Sequence, residues 1–160
     1  DVEGDDMGRA KSDRYGELKG VFICERKRTA RRMRGRGGGN DISSLTQMIV
    51  VMKHEERRFV EKVDFITSPG FLDGGSTRAE SGLVFGGMYR VVTDLAILNF
   101  DDDTKEMKVL ALHPGVTAEQ VYDNTGFDIR IDDDVETTEP PTKAELDVLR
   151  HLDPERLYIA

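Results

Sequence analysis

Cysteine is almost absent from this sequence, which has a single one, Cys24, in 160 residues. One cysteine excludes a disulfide within the chain and is typical of a protein from a reducing compartment. No apolar run approaches the roughly 20 residues that a membrane-spanning helix requires. Residues 1–6 lack the basic and apolar regions of a secretory signal peptide. These absences predict a cytoplasmic protein without a membrane segment.

Basic residues are fewer than acidic ones, with 23 Lys and Arg against 31 Asp and Glu, and the net charge is −8. An acidic domain is repelled by phosphate backbones and anionic lipids, so neither nucleic acid nor a membrane is predicted as a partner. The three histidines have no zinc-ligand spacing, and no metal site is predicted. The chain also lacks a Gly-x-Ser-x-Gly elbow and a nucleotide P-loop.

Glycine is concentrated in residues 35–41, which read GRGGGND. Such a turn leaves the backbone bare, and Asp41 is predicted to cap a short helix at 42–45. A turn of this kind presents N–H donors to an anion or a developing oxyanion, and the other open interpretation is a flexible linker with a capped helix after it. The apolar run 48–52 follows and predicts a strand covered on both faces. His54, after this strand, is predicted to be packed at its end rather than catalytic.

Strand and helix patterns extend over the rest of the chain, which predicts one domain over 15–160 after an irregular lead-in at 1–14. Strands are predicted at 89–94 and 127–131, and a hairpin at 95–100 and 107–112 around an acidic turn. Capping boxes at Thr117 and Thr142 predict two helices, and the second has an apolar stripe. The basic run 26–36 is either a phosphate contact or a solvated segment.

Several segments, in order, carry a resemblance to the B (beta) subunit of family I coenzyme A transferases, glutaconate CoA-transferase type. They are DRYG at 13–16, GRGGGND at 35–41, HEERRFVEKVDFITSPG at 54–70, VTD at 92–94, LHPGVT at 112–117 and NTGF at 124–127. The resemblance implies an α/β fold, with an open, mainly parallel sheet and flanking helices. It also implies transfer of CoA from an acyl-CoA to a carboxylic acid together with an A (alpha) subunit. Coenzyme A is then a substrate, and no cofactor is bound permanently.

The family's nucleophile is a glutamate in a Glu-Asn-Gly motif, which does not occur in this sequence. We therefore expect a C-terminal portion of a beta subunit, with the N-terminal part missing, an exposed sheet edge and no activity as a lone chain. The resemblance assigns the oxyanion hole to the backbone of Gly38 and Gly39. It assigns substrate or CoA binding to Gly35, Gly37, Asn40, Asp41, Ser68 and Gly70.

Two alternatives to a CoA-transferase remain open. A related branch of the same fold lacks the glutamate motif and performs CoA-dependent ring-opening hydrolysis, in which water attacks instead of a carboxylate. The other alternative is a truncated, inactive chain that only binds an alpha subunit.

Overall fold

The computed structural model describes residues 10–20 and 38–156, together with the backbone of 22–25 and 28–32. Its strands are Lys11–Asp13 (β1), Leu18–Lys19 (β2), Phe22–Glu25 (β3), Arg28–Arg32 (β4), Gln47–Val51 (β5), Phe59–Val60 (β6), Gly87–Val92 (β7), Ala96–Phe100 (β8), Met107–Leu112 (β9) and Glu136–Thr137 (β10). Its helices are Gly39–Leu45 (α1), Thr77–Glu80 (α2), Ala118–Asp123 (α3) and Lys143–Leu152 (α4).

The largest described sheet has five strands in the order β10-β9-β8-β7-β5. The predicted hairpin is confirmed, since β8 and β9 pair antiparallel around the acidic turn. β7 also pairs antiparallel with β8, whereas β5 with β7 and β9 with β10 are parallel. The α/β class with flanking helices is confirmed. The sheet is mixed rather than mainly parallel, because the short turns between β7, β8 and β9 join only antiparallel neighbours.

A smaller sheet has the order β2-β1-β6, and β3 pairs with β4 in a separate hairpin. β1 belongs to the segment expected to be an irregular lead-in, so that expectation does not hold for Lys11–Asp13, where Ser12 and Asp13 are buried. Residues 1–9 lie outside the described residues. The basic run 26–36 is described only through the backbone of β4, which leaves both interpretations of its charges open.

The core lies on one face of the five-stranded sheet, where side chains of β7, β8 and β9 meet Phe59 and Val121. Phe127 and Ile129 also reach this core, while Asp128 between them and Arg130 after them are exposed. The alternation that predicted a strand at 127–131 therefore reports burial correctly. The prediction of a strand is wrong, because the segment forms only an isolated bridge at Arg130, with another at the preceding Gly126.

The edge strand β5 has one bare face, because Ile49 is 60% and Val51 is 69% exposed. The prediction that this strand is covered on both faces is wrong for this chain, whereas the expected exposed edge is present. Both predicted capping boxes are confirmed, at the start of α3 and of α4. α4 buries none of its residues, and Leu149 and Leu152 of its apolar stripe are exposed. No helix in the described part is long and apolar enough to span a bilayer.

Candidate functional site

The glycine-rich turn enters α1 through Gly38, whose φ of 79° and ψ of 2° lie in the left-handed region. Its carbonyl accepts the first helical hydrogen bond, from the Ile42 N–H at 2.9 Å. The prediction that Asp41 caps the helix is wrong, because α1 begins at Gly39 and no side chain caps it. A left-handed glycine lets the chain turn into the helix three residues earlier. Asp41 lies in the first turn instead, where its negative charge is favoured.

The start of the helix is exposed at Gly38. Among the described residues other than its chain neighbours, no atom lies within 4 Å of the position that a Cβ on Gly38 would take. Among the hydrogen bonds of the described residues, none uses the N–H of Gly39, Asn40 or Asp41 as donor. Gly38 of the predicted oxyanion-hole backbone is therefore exposed, and the described residues provide no hydrogen-bond acceptor for these first-turn N–H groups.

Ser68, distant in sequence, lies directly against this turn. A Cβ on Gly39 would come within 2.9 Å of the Ser68 Oγ, so the two residues are in contact. Ser68 is buried, and its N–H and carbonyl exchange hydrogen bonds with Leu18 at 3.2 and 3.0 Å. The structure thus places Ser68 against Gly39 of this turn, and a role of Ser68 in substrate binding stays a prediction.

Gly70 packs elsewhere, against the turn at Tyr15 and Gly16. A Cβ on Gly70 would lie 2.4 Å from the Tyr15 carbonyl oxygen, and its N–H donates to the Glu17 Oε1 at 2.9 Å. This close approach explains why the position holds glycine, and a role of Gly70 in substrate binding stays a prediction. Gly35 and Gly37 lie outside the described residues.

Beneath the turn lies a buried guanidinium that the sequence did not indicate. Arg78, on α2, is only 6% exposed and donates to five main-chain carbonyls, of which Ser44 is the most distant at 3.5 Å. Its Nη1 binds the carbonyls of Pro69 and Gly70 at 3.2 and 2.6 Å, and its Nη2 binds those of Ser43 and Phe85 at 2.8 and 2.5 Å. Burial lowers the Arg78 pKa. Its local sequence, polar and without a motif, gives no signal of this role.

Two carboxyl groups are buried beside the same loop. Glu17 Oε1 accepts from the N–H groups of Gly70 and Leu72 at 2.9 and 2.6 Å, while Oε2 has no partner among the described residues. Burial first, and repulsion from Asp13 second, raise the Glu17 pKa to about 7. Asp13 accepts from three backbone N–H groups, of Tyr15, Glu17 and Val63, and burial raises its pKa. Both line a cleft of about 370 Å³.

His54 is buried in a hydrogen-bonded cage, which confirms the prediction of a packed histidine. Its Nδ1 lies 3.1 Å from the Thr93 Oγ1 and its Nε2 2.9 Å from the Thr125 Oγ1. Its ring stacks on Phe59, with the centroids 4.4 Å apart. Burial lowers the His54 pKa to about 4, so the ring is neutral at pH 7. No cluster of acidic, His and Cys side chains within the described ranges could hold a metal ion.

Comparison with curated proteins finds relatives over nearly the whole chain. The beta subunit of glutaconate CoA-transferase from Acidaminococcus fermentans is 39% identical over 155 residues, covering 96% of this chain and 58% of the relative. The beta subunit of 3-oxoadipate CoA-transferase from Pseudomonas knackmussii is 38% identical over 148 residues, covering 92% and 57%. The cholesterol ring-cleaving hydrolase IpdB subunit of Rhodococcus jostii is 34% identical over 156 residues, covering 94% and 60%. The chain thus spans less than two thirds of the length of these relatives.

Solved structures give the same family. The crystal structure of glutaconate coenzyme A-transferase from Acidaminococcus fermentans superimposes with a TM-score of 0.86 at 37% identity, covering 94% of this chain and 58% of that one. The coenzyme A transferase family model matches residues 7–124, a stretch that includes the Gly38 turn, Ser68 and Arg78. With this match and these identities, the chain belongs to the coenzyme A transferase family.

Proposed function

We propose that this chain is a portion of the beta subunit of a CoA-transferase, and that the complete enzyme moves CoA from an acyl-CoA to a carboxylic acid. In this proposal the chain supplies the backbone that binds the thioester oxygen. The attacking carboxylate comes from outside this chain, and an alpha subunit completes the enzyme.

The observation that carries the proposal is the open, left-handed Gly38 turn beside Ser68. Attack on a thioester turns its carbonyl oxygen into an oxyanion, which rigid N–H donors stabilise without reorganising in the transition state. A side chain at Gly38 would strain the backbone and fill the space that the thioester oxygen needs. Asn40 and Asp41 shape the same turn, and we assign Gly35 and Gly37 to it by position.

Comparison supports transfer over hydrolysis as the reaction. The two transferase subunits are 38% and 39% identical to this chain, against 34% for the ring-cleaving hydrolase subunit. The transferase names also suggest dicarboxylic acids, such as glutaconate or 3-oxoadipate, as acceptors. Coenzyme A enters and leaves as a substrate in this reaction.

The test combines the protein that contains this chain with a CoA-transferase alpha subunit. Acetyl-CoA or succinyl-CoA serves as donor, and glutaconate or 3-oxoadipate as acceptor, with the new acyl-CoA measured by chromatography. Formation of an acceptor acyl-CoA supports the proposal. Release of free CoA without an acceptor would assign the hydrolase function instead, and a stable complex without turnover would leave only the assembly role.

Substitution of Gly38 tests the site within the active assembly. Gly38→Val is expected to lower kcat at least about 100-fold, the cost of losing one oxyanion-hole donor. Gly115→Val is a matched control, because Gly115 has a similar φ of 83° and equally open surroundings. Near-normal turnover in Gly38→Val, or an equal loss in both variants, would remove the Gly38 turn from the site.

A further inference from the structure

We infer that Arg78 is a positioning residue, whose guanidinium holds α1 and the Gly38–Gly39 backbone in place against the loop that carries Ser68. The inference rests on the proposed function, because that proposal makes this backbone part of the site. Arg78 touches no substrate in this role, since its own groups are spent on main-chain carbonyls.

Apolar packing gives α1 little support. The helix has seven residues, and only Ser43 among them is buried. Ile42 is 50% and Leu45 is 67% exposed. A helix this short is not stable by its own hydrogen bonds. Its position must therefore come from specific contacts, and the Arg78 Nη2 provides one at the Ser43 carbonyl, 2.8 Å away.

The same guanidinium reaches the loop on its other side. Nη1 binds the carbonyls of Pro69 and Gly70, the two residues that follow Ser68, and Ser68 in turn contacts Gly39. The rigid guanidinium of Arg78 thus joins the last turn of α1 to the loop that lies against Gly39, the first residue of that helix. Bonds from a cation to carbonyls are charge-assisted, and their donors lie in a fixed plane.

The loop is held from its N–H side as well. Glu17 accepts from the N–H groups of Gly70 and Leu72, while Arg78 binds carbonyls of the same segment. Loss of Arg78 therefore leaves the loop anchored by Glu17 but frees α1. A lysine keeps the charge but has all three donors on one nitrogen, so it does not span Nη1 and Nη2 partners at once.

Hydrogen exchange on this chain tests the inference independently of enzyme activity. The variant is Arg78→Lys, and the matched control is Arg58→Lys, a second buried arginine that pairs with Glu55 at 2.7 Å. In Arg78→Lys, the amides of Ile42 in α1 and of Thr46 at its C-cap are expected to exchange at least about 10-fold faster. The Val109 amide, in the core sheet, should keep its rate. Unchanged α1 rates, or a uniform rise across the chain, would overturn the positioning role.

Kinetics in the active assembly give the second measurement. Arg78→Lys is expected to lower kcat about 10- to 100-fold with KM changed less than about twofold, because a misplaced donor affects the transition state most. Arg78→Ala should regain part of its kcat when guanidinium ion is added, whereas Arg58→Ala should not respond. Full kcat in Arg78→Lys despite faster α1 exchange, or no rescue of Arg78→Ala, would overturn the inference. An assembly without transferase activity would instead refute the proposed function, and the exchange result would stand.

Discussion

Replacing Glu17 by glutamine should change how stability depends on pH. Burial raises the Glu17 pKa from its ordinary 4.5 to about 7, so the folded protein binds this proton more tightly than the unfolded chain. Its stabilising effect is complete below pH 4.5 and is lost as the pH rises to about 7. A shift of this size corresponds to about 3 kcal/mol over the whole interval. Glutamine keeps an oxygen for the N–H groups of Gly70 and Leu72 but does not titrate.

His54 produces the opposite slope in nearly the same interval. Burial lowers its pKa from 6.5 to about 4, so the unfolded chain binds this proton more tightly. Its contribution is complete above pH 6.5 and is lost as the pH falls to about 4. The effects of Glu17 and His54 therefore nearly cancel in the wild-type protein between about pH 4.5 and 6.5. Glu17→Gln removes the effect of Glu17 on stability, so that the effect of His54 becomes measurable.

The assay is urea unfolding followed by circular dichroism from pH 4.5 to 8, on the wild-type chain and on Glu17→Gln. We expect the free energy of unfolding of Glu17→Gln, relative to wild type, to rise by about 3 kcal/mol across this range. Glu119→Gln, on the exposed surface of α3, controls for the loss of one negative charge. Parallel stability curves for Glu17→Gln and wild type would refute the argument that Glu17 holds its proton in the fold.

Three further substitutions test the packing described above. Gly70→Ala should lower the free energy of unfolding in urea by more than about 3 kcal/mol, because its Cβ would meet the Tyr15 carbonyl at 2.4 Å. The control Gly20→Ala has 3.7 Å to its nearest neighbour and should change it by less than about 0.5 kcal/mol, so equal losses would contradict the argument. His54→Gln should lower the free energy of unfolding by about 2 kcal/mol at pH 7. As the pH falls below 6.5 the variant should lose less stability than the wild type, and an equal loss in both would show that His54 is charged in the folded protein. Thr142→Ala should speed exchange of the Leu146 amide in α4 and leave the urea midpoint unchanged, since α4 buries no residue; a lower midpoint would show that α4 supports the core.

Local patterns predicted much of the fold. The hairpin of β8 and β9 and the capping boxes of α3 and α4 depend on residues close in sequence, and all three were predicted. The strand predicted at 127–131 does not form, because alternation shows which side chains are buried and cannot show whether a neighbouring strand exists to pair with. The prediction that both faces of β5 are covered was wrong for the same reason, since apolar residues show what a strand could bury and not what lies against it.

The candidate site was also predicted only in part. The Gly38 turn was predicted from its glycines, but the left-handed angle that starts α1 three residues early appeared only in the structure. Arg78 and Glu17 were missed altogether. Charged residues in polar segments are normally solvated, and only tertiary contacts bury these two among main-chain carbonyls and N–H groups.

The sequence by itself determined the family, the α/β class and the glycine-rich turn, because each depends on the order and chemistry of neighbouring residues. Tertiary structure alone decided that Ser68 contacts Gly39, that Arg78 joins α1 to the following loop, and that Glu17 and His54 are buried with shifted pKa values. These facts depend on which distant segments approach one another and on how much water they exclude, and no local pattern of residues specifies either.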